Sequence, residues 1–234
     1  MRAYVLAGGL GTRLRSRLGA LPKALAPFGD RTFFDVQMDW PASLDVGEAT
    51  MVLGVRANPV IERIRVRAAD AIPKTSWTVD PLPLGTAGAL LLAARSEERT
   101  FLVVNGDTLA KLDLHALVTA HRDAGGPVTI ACYKVHDASA RGRVRIEGKR
   151  AVAFEEKAGG GEAWVSGGIY VCEPALLERI TPNKPSSLET DVFPALLAAG
   201  ETIGAYKAPG KLYDIGTPEG LDEAQRGWRP EGGS

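Results

Sequence analysis

The sequence predicts an α/β protein built on a parallel sheet with helices on both faces. Three observations carry that expectation. Short apolar runs alternate with helix-like segments from residue 3 to residue 126. The runs at 3–7, 49–55 and 101–104 are apolar almost throughout, as strands buried on both faces are. The chain's 234 residues, 45% hydrophobic and 24% charged, suffice to bury a sizeable core.

The elements follow in order. AYVLA (3–7) ends in Gly8-Gly9 and reads as a buried strand entering a turn. TFFDVQMDW (32–40) reads as a helix stopped by Pro41, and ATMVLGV (49–55) as the second strand. NPVIERIRVRAA (58–69) is a helix with Asn58 as cap, Pro59 in its first turn, and Val60, Ile61, Ile64 and Ala68 on one face. SWTVD (76–80) is a strand and TAGALLLAARSEE (86–98) a helix with Thr86 near its start. FLVVNGD (101–107) is a strand broken by Asn105-Gly106-Asp107. DLHALVTAHRDAGG (113–126) is a helix capped by Asp113 and stopped at Gly125.

The pattern then changes. VTIACYKV, RVRIEG, RAVAFEE and EAWVSGGIYVC read as four strands, an antiparallel extension of the sheet. A helix is expected over 187–200, strands near 202–207 and 211–215, and a last helix from Thr217-Pro218. Residues 1–228 read as one domain and 229–234 as a frayed tail.

The 28 basic and 28 acidic side chains cancel, which argues against a nucleic-acid binder held by bulk positive charge. Affinity for anions must come from a local site. There is no apolar stretch long enough to span a membrane and no signal peptide, so a cytoplasmic location is expected. Cys132 and Cys172 sit in strand-like runs without metal spacing and read as buried free thiols. His115, His121 and His136 form no ligand spacing and read as surface or boundary residues.

The strongest chemical signal is LAGGLGTRLRSRLGALPKALAPF (6–28). A buried strand delivers a glycine-rich loop, then Arg13, then Lys23 after Pro22. Glycines let backbone N–H groups close on a ligand, successive N–H groups form an anion-binding concavity, and the two cations suit a polyphosphate. The P-loop string is absent. The dinucleotide fingerprint fits Gly9 and Gly11 but meets Leu14 at its third position, which disfavours an oxidoreductase. Asp107 and Asp214 each follow an apolar strand, at the edge where open α/β sheets bind ligands.

This opening resembles the signature of the sugar-1-phosphate nucleotidyltransferases. The resemblance runs from residue 2 to about 225 through PLGTAGAL, VVNGDTL, FEEK, VSGGIYV, ETD and DIGTPEG, in the family's order. It implies a Rossmann-like three-layer α/β fold with a mixed, mainly parallel central sheet. It implies nucleotide binding at Leu6, Ala7, Gly8, Gly9, Gly11, Thr12, Arg13, Gly85, Thr86, Asn105 and Gly106. Arg13, Lys23 and Asp107 would be catalytic, and Asp107 and Asp214 would hold Mg²⁺. Gly142, Glu156, Lys157, Gly167, Gly168, Glu189 and Asp191 would bind the sugar phosphate, with helix capping a rival role for Glu189 and Asp191. Members join a nucleoside triphosphate to a sugar 1-phosphate, and many associate, which leaves a homo-oligomer open, the sequence itself being silent on oligomeric state. The opening, PLGTAGAL and the compact single domain look most like those of D-glycero-α-D-manno-heptose 1-phosphate guanylyltransferases, a resemblance that implies GTP. Relatives acting on N-acetylmuramate, glucose or mannose 1-phosphates share the motifs, and a non-catalytic nucleotide-sugar binder is the alternative class.

Overall fold

The computed structural model describes residues 1–9, 11–42, 44–67, 71–138, 142–155 and 161–229. In chain order the elements begin with β1 (Arg2–Ala7), α1 (Arg15–Leu18), β2 (Pro27–Phe28), β3 (Arg31–Thr32), α2 (Phe33–Ala42), β4 (Glu48–Leu53), α3 (Asn58–Arg65) and β5 (Lys74–Val79). Then come α4 (Gly85–Ala94), β6 (Phe101–Asn105), β7 (Thr108–Ala110), α5 (Leu114–Ala124), β8 (Val128–Val135), β9 (Arg143–Glu147), β10 (Arg150–Glu155) and β11 (Ala163–Cys172). The chain closes with α6 (Phe193–Ala198), β12 (Ile203–Lys207), β13 (Leu212–Asp214) and α7 (Pro218–Gly227).

The chain divides into two compact units. The first takes Met1–Pro83, Val104–Leu109 and the residues from Leu212 onward; the second takes Leu84–Val103 and Ala110–Lys211. In the first unit β4 pairs in parallel with β1 on one side and β5 on the other. The apolar runs are buried as expected: Ala3, Val5, Met51 and Val52 are all within 1% of full burial. From α2, Phe33, Phe34 and Met38 reach the core fully buried, each stabilising by about 1.5–3 kcal/mol. The β5 edge is more open and leaves Trp77 and Val79 exposed.

The second unit is mostly antiparallel, as the change of pattern after residue 128 predicts. β11 pairs antiparallel with β8, and β10 with both β9 and β12. β12 inserts between β8 and β10 and runs parallel to β8. β9 also returns to β11 at Val165↔Arg143, so the strands close on themselves.

Helix ends test the local rules. Asp113 caps α5, accepting from the Ala116 N–H at 2.9 Å, and Gly125 ends it in the left-handed region. Thr217 caps α7 through the Gly220 N–H, with Pro218 in the first turn. Three expectations are corrected. Pro41 lies inside the last turn of α2, because a missing N–H there costs one bond without breaking the helix below it. Asn58 is already helical, the cap position belongs to Ala57, and no side chain caps the helix. The helix expected over 187–200 begins as a π-helical segment, Leu188–Val192, before α6. His121 is a further correction. It is 3% exposed, held between Thr129 Oγ1 at 3.0 Å and Glu173 Oε1 at 2.9 Å. Both cysteines are buried free thiols, and burial pushes the Cys132 thiol up to about 12.

Candidate active site

The first unit gathers acids and cations near the C-terminal ends of β1, β6 and β13. β1 ends at Ala7 and the chain turns through Gly8 and Gly9. Gly11, at φ 60°, caps a single 3-10 turn, Thr12–Leu14, whose Leu14 is buried and whose Arg13 is exposed. A second such turn, Lys23–Leu25, follows Pro22 and carries Lys23.

Asp107 is placed by a glycine. A Cβ at Gly106 would lie 2.6 Å from Ala7 Cα and 2.7 Å from the Leu6 carbonyl oxygen. With no side chain there, the Gly106 N–H donates to Leu6 O at 2.9 Å. The Ile215 N–H donates to the Asp107 carbonyl at 2.9 Å, tying the loop after β13 to the same turn. The functional side chains then converge. A Cβ built on Gly216 would stand 2.8 Å from Asp214 Oδ1, 3.0 Å from Arg13 Nη2 and 3.5 Å from Asp107 Oδ2. Lys23 Nζ lies 2.6 Å from Asp107 Oδ2. Two carboxylates thus face two cations in a partly buried cluster, where charges act more strongly than in bulk water. Asp214 Oδ1 also accepts from the Gly216 N–H at 2.7 Å.

The cluster fits a hard divalent cation. Among the described residues no group of three or more metal-ligating side chains forms. Mg²⁺ needs none, since it is commonly held by one or two carboxylates with substrate phosphates and water. Asp107 and Asp214 are two carboxylates near one point beside Gly216, a number that fits such a site.

A cavity of about 40 Å³ in the same unit is lined by Ala7, Gly8, Gly9, Gly11 and Gly106, all expected at the nucleotide. Arg15, Lys23 and Arg56 also line it, and among the described residues no carboxylate does. Leu6, Thr12, Arg13 and Asn105 stand outside this lining: Leu6 supplies the carbonyl for Gly106, and Arg13 sits with the two carboxylates. Sequence reasoning missed Arg15 and Arg56. Arg56 was legible, since it follows the end of β4 as Asp107 follows β6.

The second unit carries the other predicted residues. Gly85 and Thr86 open α4, but this helix start is already engaged. The Ala87 N–H donates to Ser186 O at 3.0 Å, and Thr86 Oγ1 accepts from the Leu188 N–H at 2.9 Å. A Cβ at Gly85 would stand 2.3 Å from Ser186 O, so this glycine admits a neighbouring segment of chain.

A cavity of about 300 Å³ opens beside β9, β10 and β11, at the lower end of small-molecule sites. Gly142 and Glu189 line it, as expected, together with Arg143, Phe154, Glu155 and Ser166. Tyr170 O–H donates to Glu189 Oε1 at 2.5 Å and fixes one carboxylate oxygen. Burial first, then the Glu189 charge, hold that phenol well above its ordinary value, so it remains a donor. Gly167 and Gly168 form an irregularity in β11. A Cβ on Gly167 would meet the Tyr133 ring at 2.5 Å, so packing alone already requires a glycine here. Asp191 is a capping residue: its Oδ2 accepts from the Ser187 N–H at 2.7 Å, and it is absent from the cavity lining. Glu156 and Lys157 lie outside the described residues.

A family model described as nucleotidyl transferase matches residues 2–229. The chain belongs to this family. Its α/β fold with a mixed sheet is the family's fold. Among curated members, it is 30% identical over 227 residues to the mannose-1-phosphate guanylyltransferase catalytic subunit beta of Dictyostelium discoideum, covering 94% of this chain and 62% of that one. The chain thus spans less than two thirds of the length of that relative. It is 28% identical to the D-glycero-alpha-D-manno-heptose 1-phosphate guanylyltransferase of Aneurinibacillus thermoaerophilus, covering 97% of each. The crystal structure of HddC from Yersinia pseudotuberculosis matches with a TM-score of 0.86 at 26% identity, over 97% of this chain and 99% of that one. The same protein solved with GMP-PN matches at 0.85. No helix among the described residues is long and apolar enough to cross a membrane.

Proposed function

We propose that this family member is a cytoplasmic sugar-1-phosphate guanylyltransferase, moving GMP from GTP onto a manno-configured sugar 1-phosphate and releasing pyrophosphate. The observation that carries the reading is the convergence of Asp107, Asp214 and Arg13 beside Lys23. GTP is supported by relatives of both kinds being guanylyltransferases. The favoured acceptor is D-glycero-α-D-manno-heptose 1-phosphate, because the relative named for it matches from end to end. Mannose 1-phosphate is the second acceptor, supported by relatives of slightly higher identity. The two share the manno configuration.

The chemistry follows from charge. A sugar 1-phosphate has a second pKa of about 6, so its oxygen is a nucleophile at neutral pH without a dedicated base. That oxygen attacks the α-phosphorus in line, the bond to the β-phosphate breaks, and pyrophosphate leaves with the electron pair. Gly8, Gly9 and Gly11 let backbone approach the triphosphate. Lys23 and Arg13 hold the pyrophosphate and take up its growing charge. Asp107 and Asp214 would hold Mg²⁺, which when bound supplies Lewis-acid neutralisation of the reacting phosphate. Glu189, pinned by Tyr170, offers its other oxygen to sugar hydroxyls. Lys157 and Glu156 are assigned to the incoming phosphate and the sugar by family resemblance.

The test is pyrophosphate release from GTP with either acceptor, with and without EDTA. The reading requires release that EDTA abolishes. Absence of release with every sugar 1-phosphate tried would refute it.

A further inference from the structure

We infer that Gln37 is a positioning residue that holds the Asp107 turn in place for metal binding. Gln37 lies in the middle of α2 and is fully buried among apolar neighbours on the same helix. Its Nε2 donates to the Asn105 carbonyl at 3.1 Å and to the Thr108 carbonyl at 3.3 Å. Those two carbonyls bracket Gly106 and Asp107. Carbonyls only accept, so the amide nitrogen, not its oxygen, must face them.

The oxygen shows why a glutamine stands here. Gln37 Oε1 is buried and has no hydrogen-bond partner among the described residues. Buried polar atoms are nearly always paired, so an unpaired one needs a reason. A methionine would fill the same space with no buried polar atom. The two bonds to the 105–108 turn are what the glutamine adds.

Helix α2 reaches both halves of the Lys23–Asp107 pair. At its start, the Phe33 N–H donates to Ala26 O at 2.8 Å, and the Ala26 N–H donates back to Lys23 O at 3.0 Å. One turn further on, Gln37 grips the Asp107 turn. The helix therefore sets the carboxylate relative to the ammonium that stands 2.6 Å from it. Gly106 and Ile215 anchor the same turn through backbone bonds. Gln37 supplies the grip on the carbonyls of Asn105 and Thr108. The inference rests on the metal assignment above, and it concerns a residue with no contact to substrate.

The experiment measures Mn²⁺ binding to the full chain by water-proton relaxation, with Mn²⁺ as the only added ligand. Gln37→Met and Gln37→Glu are compared with the wild type, and urea unfolding reports stability separately. Outer residues that orient metal ligands typically govern affinity by about 10–100-fold. The expected result is a weakening of Mn²⁺ binding of about tenfold or more in both variants. The Mg²⁺ concentration for half-maximal turnover should rise in parallel, with KM for the sugar 1-phosphate unchanged. A merely structural role would lower the urea midpoint and leave Mn²⁺ binding as in the wild type. That outcome, in whichever variant folds, overturns the inference alone. A wild type that binds no Mn²⁺ overturns the metal assignment and the inference together.

Discussion

Asp107, in a turn, and Asp214, at the end of β13, are more than a hundred residues apart in sequence, and both acids border one point beside Gly216. A metal held there would stabilise transition-state charge. Asp107→Asn or Asp214→Asn should therefore lower kcat by about a hundredfold or more, read by pyrophosphate release. Near-normal turnover of both variants would remove the assignment. Tyr170 makes a different prediction. Tyr170→Phe keeps the ring, which packs edge-on against Phe193 at 5.3 Å, but deletes the donor to Glu189. The loss of one such bond should raise KM for the sugar 1-phosphate by about three- to tenfold, with KM for GTP unchanged. A rise confined to GTP would assign the second-unit cavity to the wrong substrate.

Helix α2 shows how an element earns its place through both of its ends. Asp35 is 4% exposed and accepts from the Thr32 N–H and hydroxyl, while Arg63 of α3 lies 2.6 Å away. Burial opposes its ionisation, but the Thr32 bonds and the Arg63 charge win and hold its carboxyl below the usual range. A carboxyl depressed in the folded state adds stability above its unfolded pKa of about 3.9. That stability is lost as pH falls through the lower folded value. Asp35→Asn should cost about 1.5–3 kcal/mol at pH 7 and less near pH 3, measured by urea unfolding at both. Gly106→Ala tests the turn that α2 grips. Its Cβ would meet the Ala7 backbone, so a loss of about 1–3 kcal/mol and of turnover is expected. What could be read in advance follows the same division. Asp113, Gly125 and Thr217-Pro218 were legible because a cap is decided within one turn of chain. The insertion of β12 between β8 and β10 was not, since strand order depends on partners far away in sequence. Gln37 read as one more residue of a helix, because the carbonyls it binds lie 68 and 71 positions further on. At Gly85 and Gly167 the residues a side chain would meet, Ser186 and Tyr133, are distant in sequence, so that packing could not be read in advance.

At the scale of the molecule, net charge is zero, so anion binding must be local. In the first unit, three cations and, among the described residues, no acid line one cavity, which the proposed function assigns to the triphosphate. A ligand that binds only the folded chain at 100 times its Kd stabilises it by about 2.7 kcal/mol. GTP with Mg²⁺ at that level should raise Tm by about 5–10 °C, with UTP at equal concentration raising it less. The most direct measurement is a competition. Equal GTP, UTP, CTP and dTTP are offered with D-glycero-α-D-manno-heptose 1-phosphate or mannose 1-phosphate, and the nucleotide sugar formed is identified by mass. The account predicts a GDP-sugar as the dominant product, formed only with divalent metal. A dominant UDP- or dTDP-sugar would contradict the guanylyl assignment, and no nucleotide sugar from any combination would contradict the account as a whole.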